Sequence, residues 1–151
     1  MIIRQATIAD ASAISLLWEQ MVKEVYPKFT PNRKWWEKMM VALIESPMVQ
    51  YTVVVAEQQS EIIGFIDGLV FPEPSTGKIH GVGQHFFILP EYRHSSIAGR
   101  LYGSIVGHAL KKKAEVLEFF CSPENIQFWN KRGYGLMRCV MRKEAQLCTT
   151  P

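Results

Sequence analysis

The chain has 151 residues and a formal net charge of +3, the size of one compact domain, so a single domain over 1–151 is the expectation. With 48% hydrophobic and 21% charged residues it has ordinary globular usage, which excludes a disordered, collagen-like or solenoid chain. Lys and Arg are spread along the sequence without a concentrated patch, which argues against a nucleic-acid partner, and no window reaches the roughly 18 uncharged apolar residues of a membrane span. Three cysteines, Cys121, Cys139 and Cys148, lie outside any metal-ligand spacing. An odd number in a chain of this size points to reduced thiols, no metal and a cytoplasmic location, and Met1-Ile2-Ile3-Arg4-Gln5 has no apolar stretch of signal length.

Residues 2–6 read as a short strand. Thr7 with Asp10 three positions later forms a helix-start signal, and Ile14, Leu17, Trp18, Met21 and Val25 then recur at spacings of three and four up to Pro27. A second amphipathic helix follows Pro31, with Trp35, Trp36, Met39, Met40 and Leu43 on one broad side expected in the core, and stops by Pro47. Residues 51–56 and 62–71 are strands joined by the polar turn 57–61. A loop with Pro72, Pro74, Ser75 and Gly77 leads to a strand over 79–89. Residues 97–113 form a helix closed by Lys111, Lys112 and Lys113, which answer the negative helix end. A buried strand over 116–121, a short helix over 124–131 and a final strand over 134–142 complete the order. Antiparallel hairpins thus precede a strand-helix-strand crossover, an α+β or mixed α/β sheet flanked by about four helices.

The chemistry concentrates where the strand ending at Leu89 and Pro90 passes through a turn of small residues into the helix at Ile97. The first amides of such a helix have no internal acceptors and point outward with the positive end of the dipole, so a phosphate or pyrophosphate can take several hydrogen bonds at once. Arg93 and Arg100 could add charge-assisted contacts.

At this point the sequence resembles the GNAT family of N-acetyltransferases. The resemblance rests on Pro90-Glu91-Tyr92-Arg93 followed by the R-x-x-G-x-G/A-like run Arg93-x-x-Ser96-x-Ala98, and on Phe128-Trp129-Asn130-Lys131-Arg132-Gly133-Tyr134. The start Ile3-Arg4-Gln5-Ala6-Thr7 and the hairpin from Val54 to Phe65 extend the likeness over nearly the whole chain. It implies a GNAT-like fold and acetyl-coenzyme A as cosubstrate. The implied coenzyme contacts are Phe87, Ile88 and Leu89 at the strand end, and Arg93, His94, Ser95, Ser96, Ile97, Ala98, Gly99 and Arg100 through the turn. Asn125 would meet the pantetheine arm, and Trp129 lies where many relatives carry a tyrosine that protonates the departing thiolate.

Two departures stand out. Ser96 replaces the family's middle glycine, and the Trp129 indole is a far weaker proton donor than a phenol. Attack on a thioester needs a neutral amine, so a base must face the cleft. Strict alternation puts His85, Phe87 and Leu89 on one face and Gln84, Phe86 and Ile88 on the other. Among these, His85 is the candidate base, because histidine alone titrates near neutral pH, and His80 is less well placed. Cys121 is expected to be a small core residue at a strand end. Gly99, Gly103 and Gly107 form a stripe along the third helix, which suggests close approach by a neighbouring helix, the coenzyme or a dimer partner. The expected function is acetyl transfer to a primary amine of unidentified nature in a ternary complex. The alternative is a coenzyme A-binding regulatory module without turnover.

Overall fold

A computed structural model of the chain describes residues 1–46, 50–93, 95–121 and 123–136. The chain divides into two compact units, Met1–Phe120 and Cys121–Pro151. In the first unit β1 (Ile2–Gln5) is followed by helices α1 (Ala11–Val25) and α2 (Arg33–Glu45), and then by strands β2 (Tyr51–Gln58), β3 (Glu61–Pro72) and β4 (Ile79–Ile88). Helix α3 (Ile97–Lys111) and strand β5 (Val116–Phe119) complete it. The five strands form one sheet in sequence order, antiparallel from β1 to β4, with β5 added parallel to β4 across the α3 crossover. This is the mixed α/β architecture expected from the element pattern.

Because side chains alternate across a strand, β2 serves two cores at once. Val53 and Val55 face Ile14, Leu17 and Met21 of α1 and Trp36 and Met40 of α2. Val54 and Ala56 face Ile97, Leu101 and Ile105 of α3. A buried Val, Leu or Ile side chain contributes about 1.5–3 kcal/mol, so the sheet is held from both faces. Asn32 starts α2 by accepting the Trp35 amide at 3.1 Å, and from there the helix buries Trp36 and Met40 at i and i+4. Trp35 sits one position around the helix and is 59% exposed, so the expectation of a wholly buried Trp and Met face holds for only part of it.

Several local expectations are corrected. The hairpin turn is not the whole polar run but two residues, Gln59 and Ser60, at φ 52° and 66°, with Gln58 pairing Glu61. Two successive positive φ values match strand twist, so β2 and β3 extend further into the polar run. Strand β5 ends at Phe119, and Cys121 is exposed instead of being a core residue, because it lies beyond the sheet. The expected final strand is not present over Tyr134, Gly135 and Leu136, and its remainder, with Cys139 and Cys148, lies outside the described residues. A Cβ at Gly99, Gly103 or Gly107 would meet nothing within 4 Å among the described residues, so no neighbouring helix there accounts for the stripe. No described helix is long and apolar enough to cross a membrane.

The start of α1 is fastened by charge. The Asp10 carboxylate accepts from the Thr7 amide at 2.7 Å and from both terminal nitrogens of Arg4 at 2.7 and 2.8 Å. The hydrogen bond from Arg4 is the largest influence and, with Thr7, outweighs burial to hold the Asp10 carboxyl at about 2. A carboxyl depressed on folding contributes stability above its ordinary range and loses it as pH falls towards 2, here roughly 1–2 kcal/mol after allowing for the partly exposed Arg4. Asp10→Asn should therefore narrow the gap in urea midpoint between about pH 6 and about pH 3. An unchanged gap would show that other groups set the acid sensitivity.

Candidate functional site

Strand β4 is irregular where it matters. Ile66 pairs with Phe86 and Gly68 with Gly83, so Gln84 and His85 together oppose the single residue Asp67, a β-bulge. On the β5 side of the bulge, Gly81 looks onto Ala109 of α3, the face that Phe86 also packs towards. Strict alternation thus fails across residues 83–86, while His85 and Phe87 do share the α1/α2 face as expected.

At the bulge the Asp67 side chain is completely buried. The backbone N–H of His85 donates to its Oδ1 at 2.9 Å, and His85 Nδ1 lies 3.1 Å from Oδ1 and 3.0 Å from Oδ2. On β2, burial first, then the Asp67 charge and hydrogen bonding to it, push the Tyr51 phenol far above its ordinary range. His85 itself stays 30% exposed, and among the described residues no hydrogen bond is made at its Nε2. Trp36 meets the imidazole edge-on at 6.0 Å and stacks on Trp18 at 4.9 Å, so an aromatic wall backs the ring. Burial opposes a charged imidazole, but the hydrogen bond and charge of Asp67 outweigh it and raise the His85 pKa above the ordinary value. His80 lies further along the strand beside Glu118, 3.7 Å away.

Three residues after His85, Ile88 ends β4 and a 3-10 turn, Pro90–Tyr92, leads to α3. Arg93 braces this turn. Its Nε donates to the Ile88 carbonyl at 2.9 Å and its two terminal nitrogens take both oxygens of Glu24 on α1 at 2.8 and 2.7 Å. Ser95 Oγ donates to the Tyr92 carbonyl at 2.6 Å and accepts from the Ile97 amide at 3.3 Å. Ser96 takes the N-cap position but makes no side-chain cap, and Ser95, Ser96, Gly99 and Arg100 are exposed. The Ala98 and Gly99 amides in the first turn of this 15-residue helix therefore lie beside small side chains and the Arg100 guanidinium, which makes no ion pair among the described residues.

The other candidates are distributed as follows. Phe87, Ile88 and Ile97 are buried, their side chains committed to the two cores, so only their backbones can meet a ligand. Leu89 is partly buried against both cores and Ala98 against that of α3. His94 lies outside the described residues. Asn125 and Trp129 belong to the second unit, where Asn125 is exposed at the start of the short helix α4 (Ile126–Asn130). Trp129 is buried there, with Phe128 and Tyr134 edge-on to its ring at 5.1 and 5.5 Å. Asp67 and Tyr51 are not among the residues that the sequence motifs single out. A lone acid in an apolar strand, Ile62-Ile63-Gly64-Phe65-Ile66-Asp67, was the available signal, since a charge there must be paired.

The sequence profile of the acetyltransferase (GNAT) family matches residues 11–134. No curated protein sequence matches significantly. Among solved structures, a transcriptional regulator from Bacillus halodurans C-125 superposes with a TM-score of 0.80 at 13% identity, covering 95% of this chain and 99% of the other. A predicted acetyltransferase with acetyl-CoA from Clostridium acetobutylicum gives 0.79 at 16% identity over 95% of each chain. Glucosamine-6-phosphate N-acetyltransferase from Arabidopsis thaliana gives 0.77 at 14% identity, covering 96% of this chain and 98% of its own. At these identities the structures establish a shared fold.

Proposed function

The chain belongs to the acetyltransferase (GNAT) family, and from that premise we propose that it moves an acetyl group from acetyl-coenzyme A to a primary amine, on a small molecule or on a protein or peptide, by direct attack in a ternary complex. The observation that carries this reading is the open start of α3, reached through the turn that follows β4 three residues after His85. In this reading the amides of the first α3 turn donate to the coenzyme pyrophosphate, with Arg100 adding charge. Arg93, bound to Glu24 and Ile88, keeps the turn in shape and leaves the anion to its neighbours. His85 takes the proton from the acceptor ammonium, the freed nitrogen lone pair attacks the thioester carbonyl, and the C–S bond breaks with its electron pair leaving on the coenzyme A sulfur, which ends as the thiol on taking up the second proton released by the nitrogen.

Thermal shifts with acetyl-coenzyme A and free coenzyme A, followed by thiol release across a panel of amines, test the reading. Ligand at about a hundred times Kd should stabilise the fold by about 2.7 kcal/mol. Ala98→Glu is expected to abolish that stabilisation, because a carboxylate in the first turn repels the pyrophosphate. An acid there suits the helix dipole, so the fold itself should persist. A thermal shift retained in the variant would move the coenzyme away from this turn. Binding without thiol release on any amine would favour a coenzyme-binding regulatory module.

A further inference from the structure

The structure adds a group that decides which nitrogen of His85 can act as the base, an inference that rests on the proposed function. We propose that buried Asp67 is a positioning residue that holds the proton of the neutral His85 ring on Nδ1, leaving the lone pair on Nε2 to receive the proton of the attacking amine. An ionised carboxylate only accepts, and both of its oxygens lie within 3.1 Å of Nδ1. A lone pair on Nδ1 would face two acceptor oxygens, whereas an N–H there satisfies them. The backbone amide of His85 supplies a further donor at 2.9 Å, so the carboxylate is fixed from β4 while it sits on β3. This satisfies a charge that has no access to water.

The orientation leaves Nε2 as the ring's remaining acceptor. When an ammonium gives up its proton, the N–H electron pair stays on the amine nitrogen as the attacking pair. The proton forms the Nε2–H bond, and the resulting imidazolium lies against Asp67 as a neutral pair. The titratable groups at this cluster are Asp67 from β3 and Tyr51 from β2, while α2 contributes the Trp36 ring edge. Tyr51 stays neutral across the working range, so Asp67 is the charge that stabilises protonated His85.

Nitrogen-15 spectra of the wild-type chain, taken above the His85 pKa, report the tautomer without any activity. Protonated Nδ1 is expected, and protonated Nε2 in the neutral ring overturns the proposal. Asp67→Asn should lower kcat by about tenfold or more and move the acid limb of kcat/KM to lower pH, because the charge that favours protonated His85 is gone. Loss of stability with the limb unmoved would reduce Asp67 to a structural role and overturn the proposal. His85→Ala, run in parallel, separates the two readings. If it leaves the rate intact, His85 is not the base and the functional reading loses its base, while the tautomer still stands or falls on the spectra. Should Asp67→Asn fail to fold, the wild-type spectra decide.

Discussion

Replacing His85 by alanine is expected to lower acetyl transfer by about 10²-fold or more, the usual worth of a positioned general base. The expectation follows from exposure and partnership together. The ring is accessible on one side, fixed on the other by Asp67, and backed by Trp36. Its pKa lies above the ordinary histidine value, because the Asp67 interaction exceeds the burial that opposes it. The base form therefore fills at higher pH than for a free histidine, and kcat/KM should rise with pH through that raised value. In the alanine variant any remaining rise belongs to the acceptor amine alone. A variant with wild-type kcat/KM across the pH range would leave deprotonation to solvent or to the substrate itself.

Trp36→Ala is expected to cost about 3–5 kcal/mol, a large part of the 5–15 kcal/mol that holds a typical domain together. Trp36 is 2% exposed, stacks on Trp18, meets Phe65 at 6.2 Å and forms the wall behind His85. Truncation removes these contacts and leaves a cavity that the sheet and two helices can only partly close. Trp35→Ala is the internal control. Its ring is exposed, so the change should stay within about 0.5 kcal/mol. Urea midpoints for the two variants give the comparison, and equal costs would contradict the burial assigned to these neighbours. Turnover per folded molecule should also fall in Trp36→Ala, since the imidazole loses its backing.

The legible part of this protein was the part governed by local rules. Periodicity in α1, the β-branched apolar run of β2, the Pro90 to Ala98 turn and the order of the elements all follow from residues near in sequence, and the family resemblance follows from such local runs. Trp35 and Trp36 show the limit. Both fit a broad apolar stripe, and only the sheet's position decides which one is buried. The site depended on a longer range. Asp67 and His85 are 18 residues apart and meet only because β3 and β4 pair antiparallel with one residue in excess. The local cue to that excess is Gly83 beside Gln84, with Gly68 across from it, and strict alternation passes over both. Cys121 was assigned to a core because its strand was expected to run two residues further than the sheet does.

The bulge has a meaning for how such a chain can tolerate gaps. Remove Gln84, and Phe86 still pairs with Ile66, Gly83 still pairs with Gly68, and His85 alone opposes Asp67. Every inward-facing side chain of β4 keeps its layer. What disappears is the local bend that sets the His85 amide and ring on one carboxylate. A deletion here would thus keep the register of the sheet and concentrate its cost on one buried carboxylate that loses its donors, whereas a gap at any regular position of β4 would shift the register and scramble both cores. Length variation at this point separates selection for the site from selection for the fold.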